Sequence, residues 1–203
     1  MEAEQGMSNG KRFWDLMQQT PLIVGFLALE GLVSYFVIML LRWIEELMGA
    51  VSGMLHTALV GVDVALGIVL CVFAMYIYMR RLGANDVTYL ESRGADRASL
   101  SPDIGKAAMA FAVGFAVFGA VLYLLGVVGW EFFSGPVAYM AAALNFRWGT
   151  GEPDGPMHFW CRLVGFAVYA AAVFPAMLLG YKKGFEERLA AKKENAEEKG
   201  SEL

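Results

Sequence analysis

Glu30 is the one acidic or basic side chain within the apolar run Pro21 to Leu41, PLIVGFLALEGLVSYFVIMLL. At about 1.5 Å per residue a helix over this run is roughly 31 Å long, matching the hydrocarbon core of a bilayer, and Glu30 falls near its midplane. A carboxylate at that depth costs on the order of 3 kcal/mol even on lenient insertion scales. It must therefore face protein or water, be protonated or be partnered. Such a group can carry a proton or coordinate a cation. Asp63, in the second apolar run, is the other candidate. It lies about five residues, or roughly 7 Å, from the outer end of its helix, so Glu30 and Asp63 would be two steps of a path more readily than one lateral site. The bland alternative is structural: Glu30 hydrogen-bonds to a hydroxyl or carbonyl of a neighbouring helix, with Ser34 and Tyr35 at hand, while Asp63 reaches the interface or pairs with His56.

The remaining chemistry-bearing residues are sparse. His56 and His158 fall at outer helix ends, and Glu152 and Asp154 lie in a Gly/Pro-rich loop. They could form an outer-surface site, but solvated turn acids and interfacial histidines are the ordinary reading. The sequence carries no phosphate loop, dinucleotide fingerprint, nucleophile elbow or His-Glu-x-x-His spacing. The expectation is a non-enzyme with no catalytic set, no metal and no cofactor. Cys71 and Cys161 are too few and too far apart for a disulfide framework or thiolate cluster, and read as packing residues.

The elements that must position Glu30 are apolar helices. The chain of 203 residues is 58% hydrophobic and 18% charged, the makeup of an integral membrane protein. Its net charge is −4, with scattered basic residues, which argues against nucleic acid as a partner. Residues 1–20 read as an interfacial segment, with Lys11, Arg12, Phe13 and Trp14 at headgroup level. The first run starts beyond that segment and lacks a small-residue cleavage site, so it is expected to persist as the first helix. Spans are expected over about 21–41, 58–79, 103–130 and 158–181, with Thr20–Pro21 and Ser101–Pro102–Asp103 as helix starts. The loop after Arg81 could hold a short helix from Asp86 to about Ser92, stopped by Gly94. A short interfacial or re-entrant helix is expected over about 136–146, and 182–203 reads as a charged, helical tail that frays. The predicted fold is all-α, a four-helix transmembrane bundle over 21–181.

Orientation follows from the basic residues. Thirteen lie before the first span, between the second and third, or in the tail, and three lie on the opposite side. By the positive-inside rule both termini are cytoplasmic, as in a bacterial or archaeal cytoplasmic membrane. Ala108, Ala112, Ala116 and Ala120 form a strict every-fourth-residue stripe, answered by Ala172, Ala176 and Gly180 on the fourth helix and by Gly61 and Ala65 on the second. Small residues at that spacing let helix backbones approach closely, within the chain or against another subunit.

Two short stretches resemble known families. Glu30 and Tyr35, in LEGLVSYF, resemble the Glu-x4-Tyr of rotary ATPase proteolipid subunits, whose glycine-rich hairpins this chain lacks. Trp43, Glu45, Glu46 and Leu47 resemble the Trp-x-Glu-Glu-Leu between the first two helices in small membrane subunits of tripartite ATP-independent periplasmic transporters. That resemblance implies four spans with cytoplasmic ends. Here the second helix's basic end comes more than thirty residues after the motif, a longer interval than in that family, and the usual His is missing. The expected function is a non-enzymatic subunit of a transport or secretion assembly, whose partners are lipid and other membrane proteins. The alternatives are a small proton- or cation-coupled transporter using Glu30 and a membrane enzyme with an outer-surface site.

Overall fold

The structure, a computed structural model, describes residues 14–47, 53–94, 100–127 and 156–201. It is an all-α bundle of four long helices: α1 (Thr20–Leu47), α2 (Gly53–Ser92), α3 (Ile104–Val127) and α4 (Pro156–Ser201). The described residues contain no strand. Each helix holds a stretch long and apolar enough to cross a membrane. Leu29, Val33, Phe36, Val62, Val69, Phe73, Met109, Leu124 and Leu179 all point outward. A surface this apolar suits lipid contact and would be a liability in water.

Each helix contributes one narrow seam to the core. On α1 and the turn before it the buried positions include Leu16, Thr20, Ile23, Leu27 and Glu30, at alternating steps of four and three. On α4 they include Cys161, Gly165, Tyr169, Val173, Met177, Tyr181 and Phe185, every fourth residue. Such spacings keep a stripe on one side of a 3.6-residue helix.

The two longest helices, α2 and α4, run parallel and touch backbone to backbone. A Cβ on Gly180 would meet the carbonyl of Tyr76, one on Gly184 the carbonyl of Arg80, and one on Gly83 the carbonyl of Tyr181. Ridges of ordinary side chains would hold the axes 8–10 Å apart or more, and glycine removes those ridges. Past the apolar stretch the pair is clasped by polar contacts. Arg80 Nε donates to Glu187 Oε2 at 2.7 Å, the Tyr181 hydroxyl donates to Asp86, and the Lys192 ammonium to Glu91. The remaining helices pack at the side of this pair: α1 touches α2 and α3, and α3 touches α4. Aromatic rings fill the α3–α4 contact, with Phe115 between Phe166, Tyr169 and Phe174 at 5.9–6.3 Å and Phe111 edge-on to Tyr181 at 5.7 Å.

Several boundaries depart from sequence expectation. Instead of stopping at Arg80–Arg81 and restarting at Asp86, α2 continues unbroken to Ser92, because α4 beside it supplies partners for Arg80, Asp86 and Glu91. Gly94, with φ +84°, then turns the chain. The start of α3 is capped by Asp103 in place of Ser101: the Lys106 N–H donates to Asp103 Oδ1 at 3.0 Å, and the Lys106 ammonium pairs with the same carboxylate at 2.6 Å. The Thr20 hydroxyl turns to the Met17 sulfur at 3.8 Å, and the Ile23 N–H bonds to the Gln19 carbonyl. Pro175 lies inside α4, which continues through it. The expected interfacial helix over 136–146 lies outside the described residues.

The glycine contact gives a signed test. Gly184→Ala pushes a methyl into the Arg80 carbonyl and is expected to destabilise the purified protein by about 1–3 kcal/mol. Gly25→Ala, where nothing lies within 4 Å, is expected to gain about 0.5–1 kcal/mol. Thermal unfolding in mild detergent reads both; equal effects would show that α2 and α4 are not in close contact.

Candidate functional site

The seams of α1, α2 and α4 converge on Glu30. The same alternation that buries Ile23 and Leu27 turns Glu30 inward, where it is 7% exposed. Cys71 arrives from the seam of α2 and Tyr169 from that of α4, at 0% and 2% exposure. The glycine contact between α2 and α4 sets these two side chains beside each other. The Cys71 thiol lies against both the Glu30 carboxyl and the Tyr169 hydroxyl, and the Met75 backbone borders Glu30. None of these approaches has hydrogen-bond geometry at the Glu30 or Tyr169 oxygens: among the described residues both Glu30 oxygens and the Tyr169 hydroxyl are buried without a hydrogen-bond partner.

The depth of the three groups agrees. Glu30 is ten residues from Thr20, about 15 Å along α1. Cys71 is nine residues from Arg80, about 14 Å along α2. Tyr169 is thirteen residues from Lys182, about 20 Å along α4. All three therefore sit near the middle of a core roughly 30 Å thick. Thr20 and Glu30 are the buried side chains of polar or charged type among the described residues. An ionised carboxylate buried with neither a hydrogen bond nor a cation would be severely penalised, so the neutral acid is the form this packing accommodates.

Other sequence candidates are placed differently. Asp63 lies on α2 eight residues before Cys71, about 12 Å further along the helix; its side chain is not among those described. Tyr35 rests against Phe36 at a centroid distance of 5.9 Å. The side chains of Ser34, His56 and His158 are not among those described, and Glu152 and Asp154 lie outside the described residues. On α3, Ala108 is half-buried while Ala112, Ala116 and Ala120 are exposed; on α4, Ala172 is half-buried and Ala176 and Gly180 are buried. On α2, Gly61 and Ala65 are exposed. The larger side chains of α3, Phe111, Phe115 and Phe118, bury more area than alanines can and take the inward face.

Two features of the centre escaped the sequence reading. Cys71 and Tyr169 share an every-fourth-residue seam with known core positions, a signal that marks them as inward but says nothing of their meeting. Toward the basic end of the bundle a cavity of about 170 Å³ is lined by Asp15, Gln18, Gln19, Asn85, Asp86 and Tyr89. The stacked rings of Phe26 and Tyr78, 4.4 Å apart and 14° from parallel, lie along the helices between it and Glu30.

No protein-family model, curated protein or solved structure matches this chain. Fold and site together define its class: a polytopic helical membrane protein with a carboxyl group at the centre of its bundle.

The absence of hydrogen bonds to Glu30 predicts that its contribution to stability is small. Glu30→Met keeps the volume and removes the polar atoms, and should leave unfolding within about 1.5 kcal/mol of wild type. A loss well beyond that in thermal or denaturant unfolding would mean that the carboxyl is a structural hydrogen-bonding group.

Proposed function

We propose that this protein is a non-enzymatic integral membrane subunit of a transport or secretion assembly, with both termini at the cytoplasmic face of a bacterial or archaeal membrane. The observation that carries the reading is the outer face of α3. Ala112, Ala116 and Ala120 are exposed at one-turn intervals on the outside of the chain's own bundle. Small residues gain little from lipid but let a second helix approach to backbone distance. Within this chain the glycines of α2 and α4 already make such a contact. The occupant of the α3 face is a transmembrane helix of another subunit. The basic residues at the ends of α2 and α4 support the orientation.

A second reading, a small proton- or cation-coupled carrier, is favoured by the buried Glu30 carboxyl with its two unpartnered oxygens. In the assembly, Glu30 would be the ion-handling group that this subunit supplies.

The two readings separate experimentally. Wild-type protein extracted in mild detergent should co-purify with other membrane proteins, and Ala116→Phe should abolish that association while leaving the thermal midpoint of the isolated chain unchanged. Recovery of wild type as a monodisperse monomer would reject the subunit reading. For the carrier, pH-dependent flux in liposomes containing the purified protein should be lost in Glu30→Gln; flux equal to wild type would reject it.

A further inference from the structure

One titratable group from each of α1, α2 and α4 reaches the centre of the bundle, and Glu30, Cys71 and Tyr169 are each more than nine-tenths buried. Proteins pair nearly all their buried polar atoms. Three neighbouring oxygens without a hydrogen bond therefore mark a place where a further donor or acceptor takes part. We propose that Glu30, Cys71 and Tyr169 form a proton-exchanging site, with Glu30 holding the proton and Cys71 and Tyr169 orienting the carboxyl. The proton exchanges with water at the basic end of the bundle, past the Phe26–Tyr78 ring pair. This inference rests on reading Glu30 as an ion-handling group and names the ion and its companions.

The donor set selects the ion. A hard metal cation takes about six or more oxygens, and soft metals favour several thiolates or imidazoles. One carboxyl, one phenol and one thiol satisfy neither, while a proton needs a single basic oxygen and neighbours that can turn toward it. On release the O–H bond of Glu30 breaks and its electron pair remains on the carboxylate. The proton passes to water, and the Tyr169 hydroxyl and Cys71 thiol rotate to donate to the anion, offsetting part of its desolvation. Reprotonation reverses each movement. Among the described residues no other titratable side chain lies on the buried stripe of α1; α3 faces Tyr169 with Phe115 and Phe118, both at 6.3 Å.

The route is set by position. Phe26 lies about one helical turn from Glu30 on α1, and Tyr78 about one turn from Met75 on α2. Both lie on the side of the cavity lined by Asp15, Gln18, Gln19, Asn85 and Asp86. That cavity is large enough to hold several waters, and although Leu16 and Leu82 also line it, its amide and carboxyl side chains offer those waters hydrogen-bonding groups. The ring pair is the apolar barrier between those polar groups and the carboxyl.

Infrared spectroscopy of the full chain in liposomes tests the proposal. The carbonyl band of a protonated carboxyl, identified as that of Glu30 by its loss in Glu30→Gln and in Glu30→Met, is expected to shift on transfer to D2O. Tyr169→Phe and Cys71→Ser are each expected to move the band without removing it, and Phe26→Ala to speed the D2O shift. A Glu30 band that never shifts in D2O would make Glu30 a sealed structural acid, and the lack of any such band would make it an anion; either result overturns the proposal. A band unmoved in both Tyr169→Phe and Cys71→Ser overturns the composition of the site, and an unchanged exchange rate in Phe26→Ala overturns the route. Exchange in D2O without pH-dependent flux leaves this site standing and rejects only the carrier.

Discussion

Everything else in the bundle depends on the backbone-to-backbone contact between α2 and α4. Lipid tails are as apolar as leucine, so helices in a bilayer gain nothing from hiding apolar side chains from one another, and close packing must supply the attraction. Gly83, Gly180 and Gly184 give up side chains so that two helix surfaces meet with no ridge between them. Each glycine forfeits helix propensity of roughly 1 kcal/mol against alanine. Dispersion contacts along the shared length offset that loss.

Outside the apolar zone the same two helices change their mode of attachment. There water competes for every polar group, and isolated surface ion pairs contribute little. The Arg80–Glu187 pair is half-exposed, with side chains 50% and 42% accessible, whereas Lys192 and Glu91 are 18% and 16% accessible. The inner pair and the Tyr181–Asp86 bond therefore carry more of the register between α2 and α4, and they explain why α2 stays helical through a stretch of mixed charge. By fixing register, they also fix which residue of α2 stands beside Tyr169.

Glu30 illustrates how a packing rule can bury an acid at the centre of a bundle. Its inward direction comes from the spacing that buries Ile23 and Leu27, and its surroundings come from helices far away in sequence. The result is an acid among a thiol, a phenol and aromatic rings, in a medium where charge is costly and hydrogen bonds are scarce. A group in that setting is sensitive to small changes in helix packing, because a shift that admits one donor changes which protonation state is favoured.

How much of this was legible beforehand follows from the range of each interaction. Length and hydropathy of contiguous runs are local properties, so four membrane-spanning helices and the acid at mid-depth of the first could be read directly. The alanine stripe of α3 was legible as a small-residue face, but its direction depended on competition with the phenylalanines on the other side of the same helix. The unbroken course of α2 to Ser92 and the cap at Asp103 hinged on partners and on side-chain geometry. The meeting of Glu30 with Cys71 and Tyr169 was hidden because it joins three helices at separations no periodicity encodes. Sequence by itself determined the apolar helices and the placement of one carboxyl within the first, since hydrophobic length and charge are written residue by residue. Only the tertiary structure decided what surrounds that carboxyl and which small-residue faces are used inside the chain, since those depend on how closely separate helices can approach.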